Sequence, residues 1–317
     1  MRTITALFVG LGSIGTRHLK NLTNLCADRG WTLQADALRS DLSRPLRDGV
    51  AALLHAQYTD LADAPAHYDM VFITNPTSLH ADALTRVRGR GGALFIEKPI
   101  FSAEQTGLDL ADCLPAGQKA YVAAPMRWCG VMLALKDRLP GLHPYCARVI
   151  CSSYLPDWRP GVDYRTVYSA HKAMGGGVTI DLIHEWDYLV ELFGVPEQLY
   201  NFKGTYSDLE IDSDDWSVYI ARYPTLLAEV HLDYFGRGYR RSIELFCHDG
   251  SYLADFGAGT LTLPDGTVQH YEEDVNRRYE REMEYFVDYA LTGSGESCNP
   301  PALALNVLKL TLGENVQ

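Results

Sequence analysis

The hexapeptide Gly10-Leu11-Gly12-Ser13-Ile14-Gly15 constrains the fold of this chain more than any other stretch. It follows the apolar run Ile-Thr-Ala-Leu-Phe-Val at 4–9 and opens a segment, 13–29, whose Ile14, Leu19, Leu22 and Leu25 recur close to helical spacing. Strand, glycine turn and helix in that order begin a βαβ unit. Its glycines allow a tight turn, close approach of the backbone to a pyrophosphate, and close helix packing. The helix N-terminus adds unpaired N–H donors and the positive end of a dipole. Gly10, Gly12, Ser13, Ile14 and Gly15 are therefore candidate dinucleotide ligands.

The alternation continues. Strands are expected at 32–38, 70–74, 93–96 and 120–124, with helices near 45–56 and 78–88 and a further one after 98. That pattern predicts a doubly wound parallel sheet with helices on both faces, an α/β Rossmann arrangement. After about residue 125 the pattern changes to Tyr-rich and β-branched runs at 145–155, 198–206, 216–223, 226–234, 241–248 and 251–256. Helices are expected at 178–193, 275–291 and 301–312. These suit an α+β domain with an open, mostly antiparallel sheet. The expected division is a dinucleotide-binding domain over 1–124 and a substrate-binding and oligomerisation domain over 125–317.

Composition narrows the partners. Twenty-eight Lys and Arg against 40 Asp and Glu give a net charge of −12, which opposes a phosphate backbone and an anionic membrane surface, so neither nucleic acid nor membrane is expected. Seven scattered cysteines without a C-x-x-C pair fit a reducing cytoplasm and no thiolate metal site. The apolar run at the N-terminus is too short to span a bilayer and reads as the first strand.

Several polar residues sit where chemistry is expected. The second strand ends Ala37-Leu38-Arg39-Ser40-Asp41, at the place where a carboxylate would bind the adenosine ribose of NAD. Arg39 with Ser40 suits a 2′-phosphate instead, which favours NADP over NAD; Asp41 keeps NAD open, and Arg39 as a solvated loop cation is the plainer reading. Thr74-Asn75-Pro76, running on to His80, and Glu97-Lys98-Pro99 follow buried strands, at the sheet edge where α/β folds bind ligands. Lys98, held there between a strand and a proline, suits a proton relay, or is an ordinary surface lysine.

In the second half, Gly175-Gly176-Gly177 precedes Asp181 and His184, three apart and so on one face of a helix. A carboxylate beside an imidazole serves a hydride-transfer enzyme, the histidine handling the hydroxyl proton and the aspartate orienting it or binding a substrate hydroxyl. A structural helix with a buried histidine is the alternative, and metal binding by His184 is disfavoured. The stretch 155–172 interleaves Trp158, Tyr164 and Tyr168 with Arg159, Arg165 and Lys172. Aromatic faces against C–H patches, and charged groups on hydroxyls, suit a carbohydrate-type small molecule.

With these motifs in order, the chain resembles the glucose-fructose oxidoreductase and inositol dehydrogenase family, Gfo/Idh/MocA. The matching segments are the glycine loop with Thr16-Arg17-His18, the T-N-P-T-x-x-H segment at 74–80, Glu97-Lys98-Pro99, and the triple glycine followed by Asp181 and His184. The resemblance implies an NAD(P)-dependent oxidoreductase acting on a hydroxyl-bearing carbon of a sugar, sugar acid or nucleotide-sugar. It implies that Lys98 lies near nicotinamide and substrate, and that Asp181 and His184 lie across the substrate with His184 as acid/base. It further implies that Asn75, Pro76, His80 and Glu97 line the cofactor, that Arg127 belongs to the active site, and that the chain forms a homodimer or homotetramer through its C-terminal sheet. Many members space the aspartate and histidine four apart, one more than here. Reduction of a C=C or C=N bond, as in biliverdin reductases, and non-catalytic cofactor sensing occur on the same architecture.

Overall fold

The computed structural model describes residues 2–316 and divides into two compact units, Met1–Pro125 with Asn276–Leu305, and Met126–Val275 with Asn306–Gln317. The first unit is built on six parallel strands, β1 (Thr3–Val9), β2 (Thr32–Leu38), β3 (Ala56–Tyr58), β4 (Tyr68–Ile73), β5 (Gly91–Ile96) and β6 (Lys119–Val122), in the order β3-β2-β1-β4-β5-β6. The chain reverses its direction of growth between β1 and β4, so their carboxyl ends diverge into a crevice, the place where doubly wound sheets bind ligands.

One face of this sheet packs against helix α1 (Ser13–Asp28), through Leu19, Leu22 and Cys26. Helix α2 (His80–Arg86) contacts β4, and α3 (Leu110–Cys113) is a single turn. Across that same first face runs an in-register aromatic row, Phe8, Phe72, Phe95 and Tyr121 on β1, β4, β5 and β6. Phe8 and Phe72 stack at 4.4 Å. Residues on the other face, such as Leu7, Val71, Ile73 and Leu94, are equally buried, so the sheet is covered on both sides.

The second unit carries helix α4 (Gly130–Arg138), the short α5 (Val178–Asp181) and α6 (His184–Phe193). Its eight strands are β7 (Cys146–Tyr154), β8 (Gln198–Gly204), β9 (Trp216–Arg222), β10 (Leu227–Asp233), β11 (Phe235–Cys247), β12 (Gly250–Asp255), β13 (Thr260–Thr262) and β14 (Val268–His270). They lie in the order β14-β13-β12-β11-β7-β10-β9-β8, every pair antiparallel except β10 with β7.

Three expectations are corrected, and two strands are added. The helix near 45–56 is one 3₁₀ turn, Ala51–Leu53, followed by β3, because Pro45 and Gly49, the latter at φ +76°, punctuate the segment. The helix at 178–193 is two helices, interrupted at Leu182 and Ile183. Strands β13 and β14 are too short to leave a periodic signal. The linear boundary at 124 put everything after it in one domain, yet helix α7 (Asn276–Thr292) belongs to the first unit, where Met283, Phe286 and Val287 close the aromatic row. Phe286 sits edge-on to Phe95 at 5.1 Å and to Phe72 at 5.4 Å, and the buried Glu282 accepts from the Tyr121 hydroxyl at 2.8 Å and the Ala124 amide at 2.6 Å. The final helix, α8 (Pro301–Thr311), takes the chain from the first unit into the second.

Phe286 is fully buried among rings that cannot collapse into the space it would vacate. Phe286→Ala is expected to destabilise the first unit by about 3–5 kcal/mol, read by chemical denaturation.

Candidate active site

At the carboxyl end of β1 the glycine loop is shaped by close approach. Gly10 has φ +90°, and a Cβ there would lie 2.8 Å from the Asn75 Cα; a Cβ on Gly15 would lie 2.6 Å from the Gly10 carbonyl oxygen and 2.7 Å from Thr74 Oγ1. Thr74 seals the contact by donating its hydroxyl to the Gly10 carbonyl at 2.5 Å. Gly12 is the opposite case, since a Cβ there meets nothing within 4 Å. Gly12 and Ser13 are exposed, Gly12 is the N-cap of α1, and no side chain caps the helix. The open volume therefore faces free amides at the positive end of a 16-residue helix, which suits a pyrophosphate. Asn75 adds a buried Oδ1 without a partner. The free amides as donors, with this oxygen as an acceptor, fit a dinucleotide.

Arg39 follows β2 directly, as expected, and is half-buried, its guanidinium donating to Gln57 Oε1 at 2.8 Å and to the Arg44 carbonyl. With Arg44 and Arg47 it lines a surface cavity of about 430 Å³. Ser40 is exposed beside it. Pro76 is also exposed.

His80 and Glu97 act from behind the loops instead of opening to a ligand. His80 is fully buried, its Nδ1 facing the Ile100 carbonyl and its Nε2 the Asn75 carbonyl, both at 3.1 Å. Burial holds its imidazole below the usual pKa, against the pull of those carbonyls. Glu97, also buried, lies 2.5 Å from His18 Nε2 and accepts from the Lys98 amide at 3.1 Å. Burial pushes the Glu97 carboxyl up, but the His18 hydrogen bond and the His18 and Lys98 charges outweigh it and hold it below the ordinary carboxylate value. The His18–Glu97 pair thus ties α1 to the turn that carries Lys98, whose side chain is half-buried.

In the second unit, Asp181 ends α5 and His184 begins α6, so the helix break falls between them. Asp181 is nearly buried and accepts from the Tyr168 hydroxyl at 2.8 Å and the Tyr234 hydroxyl at 2.6 Å; His184 is half-buried. The two acids that follow are taken by arginines. Glu185 accepts from Arg241 Nε at 2.7 Å, and Asp187 pairs with Arg127 at 2.8 Å.

Arg127 is held by carboxylates of the same unit. It is buried and bidentate to Asp187, with a third bond to Glu191 at 2.5 Å, which makes it the hub of an internal ion-pair network. Of the loop residues, Trp158 does reach the Asp181 cluster, its ring edge-on to Tyr234 at 5.2 Å. Tyr164 accepts from the Glu210 amide at 3.2 Å, Arg165 is paired with Asp163 and Glu210, and Lys172 is exposed with its amide on Asp212. The Tyr164 and Arg165 side chains thus turn toward residues 163 and 210.

Residues 4–122 match the Gfo/Idh/MocA oxidoreductase family, described by its NAD-binding Rossmann fold. That match spans the strands and glycine loop of the first unit. No curated protein sequence matches it. Solved structures share the fold over nearly the full length at low identity. Levoglucosan dehydrogenase in complex with NADH and levoglucosan has a TM-score of 0.80 at 16% identity, covering 98% of this chain and 96% of that one. The WlbA dehydrogenase from Bordetella pertussis, in complex with NADH and UDP-GlcNAcA, has a TM-score of 0.75 at 19% identity over 98% and 95%. An oxidoreductase from Agrobacterium radiobacter, with NAD+, L-tartaric acid and magnesium, has a TM-score of 0.78 at 17% identity over 98% and 95%.

Sequence reasoning missed Tyr234 and gave Tyr168 no defined role. Neither carries a local signal, because each reaches Asp181 only through the fold. Gly12→Ala is expected to cost the fold no more than about 1 kcal/mol, since the new methyl meets no protein atom, yet to weaken NADH binding at least about tenfold in a fluorescence titration.

Proposed function

We propose that the protein moves hydride between a nicotinamide cofactor, NADP in preference to NAD, and a hydroxyl-bearing carbon of a sugar, sugar acid or nucleotide-sugar. One observation carries the substrate class: the Asp181 carboxylate sits among Tyr168, Tyr234 and the half-exposed Trp158. The exposed faces of Tyr168 and Trp158 beside an oriented acceptor suit a polyhydroxylated ring better than a planar apolar one. The cofactor preference is supported by the cavity that Arg39 shares with Arg44 and Arg47, where three guanidinium groups suit a 2′-phosphate.

In this reading the amides at Gly12, Ser13 and Ile14 hold the pyrophosphate, and the Asn75 side chain adds polar contacts. When bound, the nicotinamide supplies or accepts the hydride. The hydroxyl proton is moved by the His184 imidazole or by Lys98 Nζ, and Asp181 accepts a hydrogen bond from a neighbouring substrate hydroxyl and fixes its orientation. The His18–Glu97 pair sets the turn from which Lys98 projects. A homodimer or homotetramer fits the reading, supported by Tyr200, Phe202 and Ile220 exposed along β8 and β9. No helix among the described residues is long and apolar enough to cross a membrane. The free, scattered cysteines suit a reducing compartment such as the cytoplasm.

The test has two parts. Titration of NADPH and NADH by nicotinamide fluorescence is expected to show NADPH bound more tightly, with the preference lost in Arg39→Asp; equal binding unaffected by the change would place Arg39 outside the ribose site. Turnover is then screened with levoglucosan, free sugar acids and UDP-linked N-acetylglucosamine. His184→Ala or Lys98→Met is expected to lower kcat about 10²–10⁴-fold; a variant with undiminished kcat would remove that residue from the proton transfer.

A further inference from the structure

Both oxygens of the Asp181 carboxylate are already engaged, and by phenols from two distant segments. Oδ1 accepts from Tyr168 at 2.8 Å and Oδ2 from Tyr234 at 2.6 Å. We propose that Tyr168 and Tyr234 are positioning residues that clamp Asp181, and that Tyr168 thereby ties the segment carrying Trp158 to that carboxylate. The proposal rests on the reading above, in which Asp181 meets the substrate.

The direction of both bonds follows from chemistry. An ionised carboxylate only accepts, so the phenols donate. Burial, and then the negative charge of Asp181, raise the pKa of both tyrosines, which keeps them protonated and donating at neutral pH. A carboxylate has about four lone-pair sites, so two stay open to a ligand hydroxyl while the plane of the group is fixed by the other two.

The surroundings show how each phenol is held. Tyr234 is fully buried, and Trp158 packs on it while donating Nε1–H to Ser153 Oγ at 3.1 Å. Tyr168 lies on a 3₁₀ turn, Tyr168–Ala170; the residue is 44% exposed, with the Arg159 guanidinium 5.9 Å from its ring centroid. That turn is drawn against the start of α5 by Gly176: a Cβ there would lie 2.0 Å from the Tyr168 carbonyl oxygen and 2.7 Å from that of Ser169. Opposite it, Ser213 Oγ donates to the Ser169 carbonyl at 2.7 Å, and the Asp212 amide donates to the Ala170 carbonyl at 3.1 Å. The middle glycine of the triple-glycine run thus serves to bring the Tyr168 hydroxyl within reach of Asp181.

The test uses Tyr168→Phe and Tyr234→Phe in the full-length protein, Tyr168→Phe being the variant that leaves the buried core untouched. Two readouts are needed. In the free protein, Tyr168→Phe is expected to speed amide hydrogen exchange across 158–171 at least about tenfold relative to wild type, with NADH affinity unchanged; unaltered exchange would overturn the clamp whatever the enzyme does. With whichever sugar of the screen is turned over, each variant is expected to lower kcat/KM about ten- to a hundredfold. Neither is expected to lower it further once Asp181 is replaced by Ala. Losses that persist in the Asp181→Ala background would overturn the proposal, because the tyrosines would then act elsewhere. Faster exchange together with no turnover of any sugar in the panel would count against the proposed function and leave the clamp standing.

Discussion

The first unit depends on how closely the chain exits β1 and β4. A side chain at Gly10 would collide with the backbone of Asn75, so the two strand ends fuse into one edge, with Thr74 hydrogen-bonded across it. Other features are arranged around that contact. His80 braces the Asn75 carbonyl from below, and the His18–Glu97 pair fastens α1 to the turn at Lys98. Of the three loop glycines, Gly12 alone has open space above it, which turns a packing requirement into a place for a phosphate.

Charge in the second unit is handled by pairing within the protein. Four successive acids, Asp181, Glu185, Asp187 and Glu191, lie on α5 and α6, and a helix that buried them unpaired would not fold, since breaking a buried pair costs about 3–5 kcal/mol. Arg241 takes Glu185, Arg127 takes Asp187 and Glu191, and only Asp181 is satisfied by neutral hydroxyls. That difference singles out Asp181. Its hydroxyl partners carry no charge of their own, where an arginine would have brought one.

Much of the fold was legible because it is local. The glycine loop, the limits of β2 and the helical spacing of Met283, Phe286 and Val287 all follow from periodicity and turn chemistry. Misreadings arose where local preference and context disagree. The segment 45–56 has apolar residues enough for a helix but is cut by Pro45 and Gly49, and the break at Leu182–Ile183 leaves no mark that a periodic reading can detect. For Arg127 the resemblance offered an active-site place, but the sequence does not reveal which carboxylates fold against it.

By itself, the sequence determined a dinucleotide-binding Rossmann unit, a following sheet-rich unit, and the short list of polar residues from which chemistry can be drawn. Those depend on spacing along the chain, which packing does not change. The tertiary structure alone decided that α7 completes the first unit, that His80 and Glu97 brace instead of exposing themselves, and that two tyrosines 66 positions apart meet on Asp181. Such decisions rest on long-range contacts, where burial makes every polar group find a partner and the identity of that partner is fixed only when the strands and helices are in place.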